Sequence, residues 1–130
     1  MRPIVIALAG LVAVILGYIA WEYLSTWTLR QDPKAIYEQV LKQTPLGSDM
    51  EKVKEYCLQY AKPCSVSIES GFLKQEPGEP MVTVGKKSIQ GEFGEYRASL
   101  YLTGSVSAFW GFDESGKLID VWIWKTYDGP

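Results

Sequence analysis

An uncharged stretch near the start of the chain constrains its fold more than any other feature. Residues 3–21 read PIVIALAGLVAVILGYIAW, and a helix that rises about 1.5 Å per residue crosses the ~30 Å hydrocarbon core of a bilayer at about this length. A secretory signal peptide is the alternative, since Arg2 supplies a short basic region before the apolar run. Both candidate cleavage sites, after Ala20 and after Ser25, have a tyrosine where signal peptidase needs a small residue. We therefore expect an uncleaved transmembrane anchor.

Aromatic side chains cluster where the apolar run ends, as is typical of the boundary between lipid and water. These predicted membrane-interface residues are Tyr18, Trp21, Tyr23 and Trp27. The chain thus divides into a transmembrane anchor with an aromatic interfacial end over residues 1–27 and a folded domain over residues 28–130. A short basic tail before a first membrane helix usually stays in the cytoplasm, which predicts a cytoplasmic N-terminus and an extracytoplasmic domain.

Two short helices are predicted after the anchor. Asp32-Pro33 starts the first, because Asp accepts hydrogen bonds from free backbone N–H groups and Pro fits the first helical position. Thr44-Pro45 ends it, and the capping-box sequence S-D-M-E at residues 48–51 starts the second. Both helices are amphipathic, so each needs a sheet or the other helix for stability.

Beyond Pro63 the pattern changes to short segments rich in Val, Ile, Leu and aromatic residues, separated by Gly, Pro, Asp and Ser. The predicted strands are residues 65–69, 81–84, 97–103, 106–112 and 117–125. Residues 75–80, QEPGEP, are predicted to form a loop. The sequence therefore predicts an α+β fold with an N-terminal transmembrane helix, then two short helices packed on a four- to five-stranded antiparallel sheet.

The last predicted hairpin carries apolar residues on both faces. If the turn D-E-S-G at residues 113–116 is all loop, Phe112 pairs with Lys117. One face then holds Val106, Ala108, Trp110, Phe112, Ile119, Val121 and Ile123, and the other holds Phe109, Leu118, Asp120, Trp122 and Trp124. A three-residue loop with a Gly bulge would shift the register and mix these sets. A turn at Gly104-Ser105 would add Leu100 and Leu102 to the second face.

Because two helices cover only one face of a sheet, something else must cover the second apolar face. The sheet could curl around its own aromatic residues, or the face could be covered by the loop 71–80, by the membrane surface or by another protein. Large exposed apolar patches often mark interfaces. The candidate partner-binding residues are Phe109, Trp122, Trp124, Leu100 and Leu102.

Cys57 and Cys64 are the two cysteines of the chain. In an oxidising compartment we expect a disulfide that ties the end of the second helix to the first strand. The alternatives are two buried free thiols, or redox or metal chemistry. The spacing is not Cys-x-x-Cys, and two thiols without histidine make a poor metal site. We predict no metal and no cofactor.

The chain contains no histidine, which removes Ser-His-Asp and Cys-His catalysis. Its 13 basic and 15 acidic residues include no basic run, so nucleic acid is not an expected partner. Asp120 is unusual because it lies mid-strand among apolar residues and, if buried, needs a partner such as Lys117, Arg97 or Lys125. We expect a structural role for this carboxylate, no catalytic residues and no enzymatic activity.

The order of elements resembles that of small bacterial envelope domains, including the SmpA/OmlA (BamE) type of assembly lipoprotein. The segment GSDMEKV at residues 47–53 and the hairpin FDESGKL at residues 112–118 carry the resemblance. It implies the fold and an envelope location. Leu11 stands where a lipobox requires cysteine, and no glycine directly follows Leu58. The resemblance therefore implies neither a lipid anchor nor a role in outer-membrane assembly.

Together these patterns predict a non-enzymatic protein of the bacterial inner (cytoplasmic) membrane that acts through protein–protein interaction. Such a protein would be an accessory subunit, an assembly factor or an immunity protein with its domain in the periplasm. The alternative is a small-ligand or lipid-binding module of the envelope, in which Trp110, Trp122 and Trp124 line a cavity.

Overall fold

A computed structural model describes residues 2–129. Met1 and Pro130, the outermost residues of the predicted anchor and domain, lie outside the described residues. The helices are α1 (Arg2–Ser25), α2 (Trp27–Arg30), α3 (Pro33–Gln43) and α4 (Met50–Tyr60). The strands are β1 (Cys64–Ser67), β2 (Phe72–Lys74), β3 (Val82–Val84), β4 (Lys87–Arg97), β5 (Thr103–Phe112) and β6 (Leu118–Asp128).

The strands form a four-stranded antiparallel sheet in the order β1-β4-β5-β6, and β2 pairs with β3 in a separate two-stranded ribbon. Helices α3 and α4 pack on one face of the sheet, against β6 and β4 respectively. This arrangement confirms the predicted α+β class with an N-terminal apolar helix, further short helices and an antiparallel sheet.

The helix α1 is long and apolar enough to cross a membrane, and all its described side chains lie outside the core. Its length and composition would also suit a signal sequence. The fold therefore shows an apolar helix over Arg2–Ser25 that contributes no buried residue to the core of the domain.

The starts of α3 and α4 are stabilised in different ways. At α3 the Asp32 carboxylate accepts a hydrogen bond from the Ala35 N–H at 2.8 Å, as the cap pattern predicts. The predicted capping box at α4 is wrong, because Asp49 is the N-cap and makes no side-chain cap bond. The Met50 N–H instead donates to the Gly116 carbonyl at 2.9 Å, so the β5–β6 turn supplies the acceptor.

The core lies between the two helices and one face of the sheet, which we call the core face. Its fully buried side chains include Val53, Cys57, Ile89, Val106, Trp110, Phe112 and Val121. Gly91 lets α4 approach β4 closely, since a Cβ there would lie 2.6 Å from the Cys57 sulfur and 2.8 Å from the Ala61 Cβ.

The strand predicted over residues 97–103 is wrong. Strand β4 ends at Arg97, and residues 98–102 form the turn to β5. This turn is closed by the Ala98 and Ser99 N–H groups, which both donate to the Leu102 carbonyl. Gly104 and Ser105 consequently lie within β5 rather than in a turn.

The predicted register of the last hairpin is also wrong by a small shift. Phe112 pairs with Leu118 and not with Lys117, because the Lys117 N–H donates to the Asp113 carboxylate at 2.9 Å and belongs to the turn. That bond and the Ser115 hydroxyl hold the pKa of Asp113 below its usual range. An irregularity in the pairing then places Leu118 in the core and leaves Ile119 45% exposed, which exchanges their predicted faces.

Candidate functional site on the uncovered sheet face

The sheet face opposite α3 and α4, here called the uncovered face, carries a cluster of four aromatic rings. This aromatic cluster consists of Phe72, Phe109, Trp122 and Trp124. The rings of Phe109 and Trp122 lie 5.3 Å apart between centroids, and Trp122 stacks on Trp124 at 5.8 Å and 18°. Phe72 stacks on Trp122 at 6.3 Å and 11°. These separations lie within the range of favourable aromatic pairs.

Strand periodicity brings the cluster together. Phe109 lies directly opposite Trp122 across the β5–β6 ladder, and Trp124 follows two residues later on the same face. These three sequence-predicted site residues therefore do lie side by side. The expectation that the whole second face is apolar is wrong, because Gln90, Glu92, Ser105 and Ser107 share it according to the register. The apolar part is confined to the cluster.

The β2–β3 ribbon covers one side of the cluster. Phe72 of β2 is 5% exposed, and a Cβ at Gly111 would lie only 3.1 Å from its ring, which shows how closely the ribbon approaches the sheet. Trp122 is consequently 9% exposed, whereas Trp124 on the far side remains 48% exposed. The ribbon, whose strand β2 lies within the predicted covering loop 71–80, therefore covers part of the face and leaves Trp124 at the border.

Leu100 and Leu102, the other predicted partner-binding residues, do not join the cluster. They lie in the turn 98–102, at the end of β5 away from Phe109. Their exposed fractions are 80% and 41%.

Strand β6 forms an outer edge of the sheet beside the cluster. At its start the Leu118 N–H donates to the Ser48 carbonyl at 2.9 Å, and the Leu118 carbonyl accepts from the Gly47 N–H at 2.8 Å. Beyond this point, no strand within residues 2–129 pairs with the outer side of β6. Next to Trp124, β6 is therefore an edge strand without a described strand on its outer side.

The tryptophans proposed to line a cavity lie on different faces. Trp110 is fully buried on the core face, where its Nε1–H donates to the Thr44 hydroxyl at 3.2 Å. Trp122 borders a cavity of about 200 Å³ that also contacts Lys74 and Asp120. Ligand pockets are typically ~300–1,000 Å³ and mostly apolar. The three tryptophans therefore do not line one common cavity.

Asp120 is paired with Lys74, which is not among the partners predicted from the sequence. Its carboxylate lies 3.7 Å from the Lys74 ammonium and accepts a hydrogen bond from the Val121 N–H at 2.8 Å. Of the predicted partners, Lys117 pairs with Asp49, and Lys125 donates to the Gln31 carbonyl at 2.6 Å. The ribbon brings Lys74 to Asp120, and a three-residue strand such as β2 gives too little sequence signal to predict that contact.

Tyr37 stands near this pair. Its pKa is raised above the ordinary value of 10.0, first by desolvation and then by the negative charge of Asp120. At its mid-strand position the Asp120 carboxylate therefore has an ion-pair partner, a backbone donor and a phenol nearby.

The sulfur atoms of Cys57 and Cys64 lie at disulfide distance, with 6.1 Å between their Cα atoms. The pair connects the last turn of α4 to the first residue of β1, which is the connection predicted. Among residues 2–129, no three acidic or cysteine side chains converge on a point where they could hold a metal ion.

Where the apolar helix meets the domain, Arg30 joins the two. Its guanidinium lies over the Tyr23 ring at 4.9 Å and over the Tyr96 ring at 5.0 Å. Its Nε donates to the Thr26 hydroxyl at 2.8 Å, and its Nη1 donates to the Arg97 carbonyl at 2.9 Å. We call this arrangement the Arg30 clamp. No motif predicts it, because Tyr96 and Arg97 are distant in the sequence from Arg30.

The predicted interface residues all lie at the domain-proximal end of α1 and the start of α2, on the surface. Tyr18, Trp21, Tyr23 and Trp27 are 66%, 71%, 48% and 51% exposed. The rings of Tyr23 and Trp27 lie 5.6 Å apart. These four residues thus form an exposed aromatic end to the helix.

Comparisons of the chain with protein-family models, with curated proteins and with solved structures each found no match. The resemblance to the SmpA/OmlA type therefore stays an expectation from the sequence.

Proposed function

We propose that the chain is a non-enzymatic, membrane-anchored protein of the bacterial envelope that acts by binding another protein. The observation that carries this proposal is the exposure of Trp124, which is 48% exposed at the border of the aromatic cluster and on an edge strand. Tryptophan is enriched among the residues that dominate binding energy at interfaces. A partly exposed aromatic cluster is a typical interaction surface.

The proposed occupant is an extended segment of the partner that pairs with the outer edge of β6. Such a segment would form main-chain hydrogen bonds with the strand, and its alternate side chains would fall on the uncovered face beside Trp124. The polar residues Ser105 and Ser107 bound the apolar area on β5. The contact is thus an apolar centre with a polar margin, as is usual in protein interfaces.

The proposed location is the inner membrane, with α1 crossing the bilayer, the N-terminus in the cytoplasm and the domain outside it. Arg2 before the apolar run supports this orientation, and the exposed aromatic end of α1 fits the membrane boundary on the domain side. The cysteine pair at disulfide distance also fits an oxidising compartment outside the cytoplasm.

Photocrosslinking in intact membranes tests the proposal. The photoreactive amino acid benzoylphenylalanine replaces Trp124 or Thr126, two residues on the uncovered face of β6. Leu58, which is 63% exposed on α4, is the matched control position. Trp122 is unsuitable because it is 9% exposed.

We expect one discrete crosslinked product from each β6 position and none from position 58. Because strand residues on one face alternate, the two products should map to partner residues two positions apart in one segment. A product with the mass of two copies of this chain would replace the heterologous partner by self-association. Equal crosslinking from position 58, or none from β6, would refute the proposal.

A further inference from the structure

The turn between β4 and β5 is apolar at its tip. Leu100 and Tyr101 are 80% and 72% exposed. The turn at the opposite end of β5, residues 113–116, reads D-E-S-G. Hairpin turns normally carry small polar residues, so the two ends of this strand are built for different surroundings.

The exposure belongs to an ordered turn. The Ala98 N–H donates to the Leu102 carbonyl at 2.9 Å, and the Tyr101 N–H donates to the Ser99 hydroxyl at 3.2 Å. The backbone is thus closed on itself while Leu100 and Tyr101 remain on the surface. These two apolar side chains are therefore exposed to solvent on an ordered backbone.

The turn lies beside the domain-proximal end of α1. Arg30 of the Arg30 clamp donates to the carbonyl of Arg97, the residue just before the turn. A cavity of about 230 Å³ has Ile19 and Tyr23 on its α1 side and Ser99 on its turn side. Ile19 belongs to the apolar run, so Ser99 stands at the level where the run ends.

The other turn lies far from this level. Strand β5 runs over Thr103–Phe112 between the two turns, which at ~3.4 Å per residue separates them by roughly 30 Å. The apolar turn is therefore near α1, and the polar turn points away from it.

We propose that the turn 98–102 inserts into the headgroup region of the bilayer that α1 crosses, so that the domain has a second membrane contact. The proposed occupant is lipid. Leu100 would reach the boundary of the acyl chains, and Tyr101 would place its ring among the headgroups, where aromatic residues are favoured. This inference rests on the membrane anchoring in the proposed function.

Two membrane contacts would fix the tilt of the domain. One contact is α1 and the other is the turn at the start of β5, so the long axis of the β5–β6 hairpin would stand at a set angle to the bilayer.

Depth-dependent fluorescence quenching tests the insertion. The full chain carries an environment-sensitive nitrobenzoxadiazole label at L100C, or at S115C in the polar turn as the matched control. Both positions are exposed, so neither change removes a core contact. The protein is reconstituted into vesicles of phosphatidylethanolamine and phosphatidylglycerol, with or without lipids that carry a nitroxide on the upper acyl chain.

We expect the label at position 100 to emit at shorter wavelength than the label at position 115 and to lose fluorescence when the nitroxide lipids are present. The label at position 115 should be unaffected. If both labels emit at the same wavelength and neither is quenched by the nitroxide lipids, the proposed insertion of the turn is refuted.

Extraction with alkaline carbonate separates this inference from the one on which it depends. Protein that stays in the vesicles while position 100 is unquenched refutes the inserted turn and leaves the anchor intact. Protein that is released by carbonate refutes the anchor and the inserted turn together. Retention in carbonate with selective quenching at position 100 supports both.

Discussion

At the scale of single residues, Thr44 supplies the hydrogen-bond acceptor for the buried indole N–H of Trp110. Its side chain is fully buried, donates to the Val40 carbonyl at 2.7 Å and accepts from Trp110 Nε1 at 3.2 Å. Among the described residues, no buried side-chain nitrogen or oxygen lacks a partner. One hydroxyl thus lets the largest core side chain be fully buried with its N–H bonded.

Thr44→Val should lower the free energy of unfolding by about 1–3 kcal/mol, because valine has nearly the same shape but leaves the Trp110 N–H without an acceptor. Thr44→Ser keeps the hydroxyl and is the control. Urea unfolding of the full chain in detergent micelles, followed by tryptophan fluorescence, measures both. A valine variant as stable as the serine variant would contradict the role assigned to this bond.

Tyr56 makes stability depend on alkaline pH. Its ring packs edge-on against Trp110 at 6.1 Å and Phe93 at 6.5 Å. Desolvation, with a smaller contribution from Tyr60, raises the pKa of Tyr56 above 10.0. Since the folded state holds this proton more tightly than the unfolded state, the contribution is complete below the unfolded pKa and is lost as pH rises through the folded one.

Unfolding midpoints measured between about pH 8 and about pH 11 should therefore fall less in Tyr56→Phe than in the parent chain. Phenylalanine keeps the ring contacts and has no proton to lose. Parallel pH profiles for the two proteins would show that Tyr56 does not contribute to the alkaline loss.

At the scale of elements, a local signal predicts structure correctly only where no distant group replaces it. The capping box at residues 48–51 does not form, because the Met50 N–H donates to the Gly116 carbonyl instead. The Asp32 cap depends on residues three apart and forms as expected. The turn 98–102 was predicted as strand, because apolar residues in a hairpin turn have the composition of a strand. What distinguishes it as a turn are the hydrogen bonds from the Ala98 and Ser99 N–H groups to the Leu102 carbonyl.

The candidate site shows the same division. Strand alternation was enough to place Trp122 and Trp124 on one face, and pairing with Phe109 follows in the observed register. The pairing irregularity near Phe112 places Leu118 on the core face, opposite to the predicted face. Its position depends on which turn residue donates to the Asp113 carboxylate, and strand alternation does not predict that. The contribution of Phe72 was missed, since a three-residue strand shows no clear alternation.

The link between α4 and β1 leads to a prediction at this scale. If Cys57 and Cys64 are oxidised, the short loop they close should add about 2–3 kcal/mol to the free energy of unfolding. Dithiothreitol should then lower the urea midpoint of the parent chain. Cys64→Ser, which keeps the buried Cys57 and has no pair to reduce, should show no response to the reductant.

A parent midpoint that does not change in dithiothreitol, together with two thiols titrated under non-reducing denaturing conditions, would mean that the cysteines are free in the folded protein.

At the scale of the whole molecule, the Arg30 clamp connects the domain to its apolar helix. The guanidinium stacks on Tyr23 of α1 and on Tyr96 of β4, and it bonds the backbone just before the turn 98–102. Lys125 lies 5.0 Å from the centroid of the Tyr96 ring as well. Cation–π contacts and a charge-assisted hydrogen bond from one side chain therefore connect helix and sheet.

Arg30→Ala should loosen this connection without unfolding the domain, since Arg30 lies outside the core. Electron paramagnetic resonance distances between spin labels at E22C on α1 and S115C in the far turn measure it in the full chain under non-reducing conditions. The parent should give a narrow distance distribution, and Arg30→Ala should give a broad one. Arg97→Ala is the matched control, because it removes the same charge nearby while the clamp uses only the Arg97 carbonyl. Equal breadth in the parent and Arg30→Ala, or equal broadening by Arg97→Ala, would mean that the orientation of the domain does not depend on the Arg30 side chain.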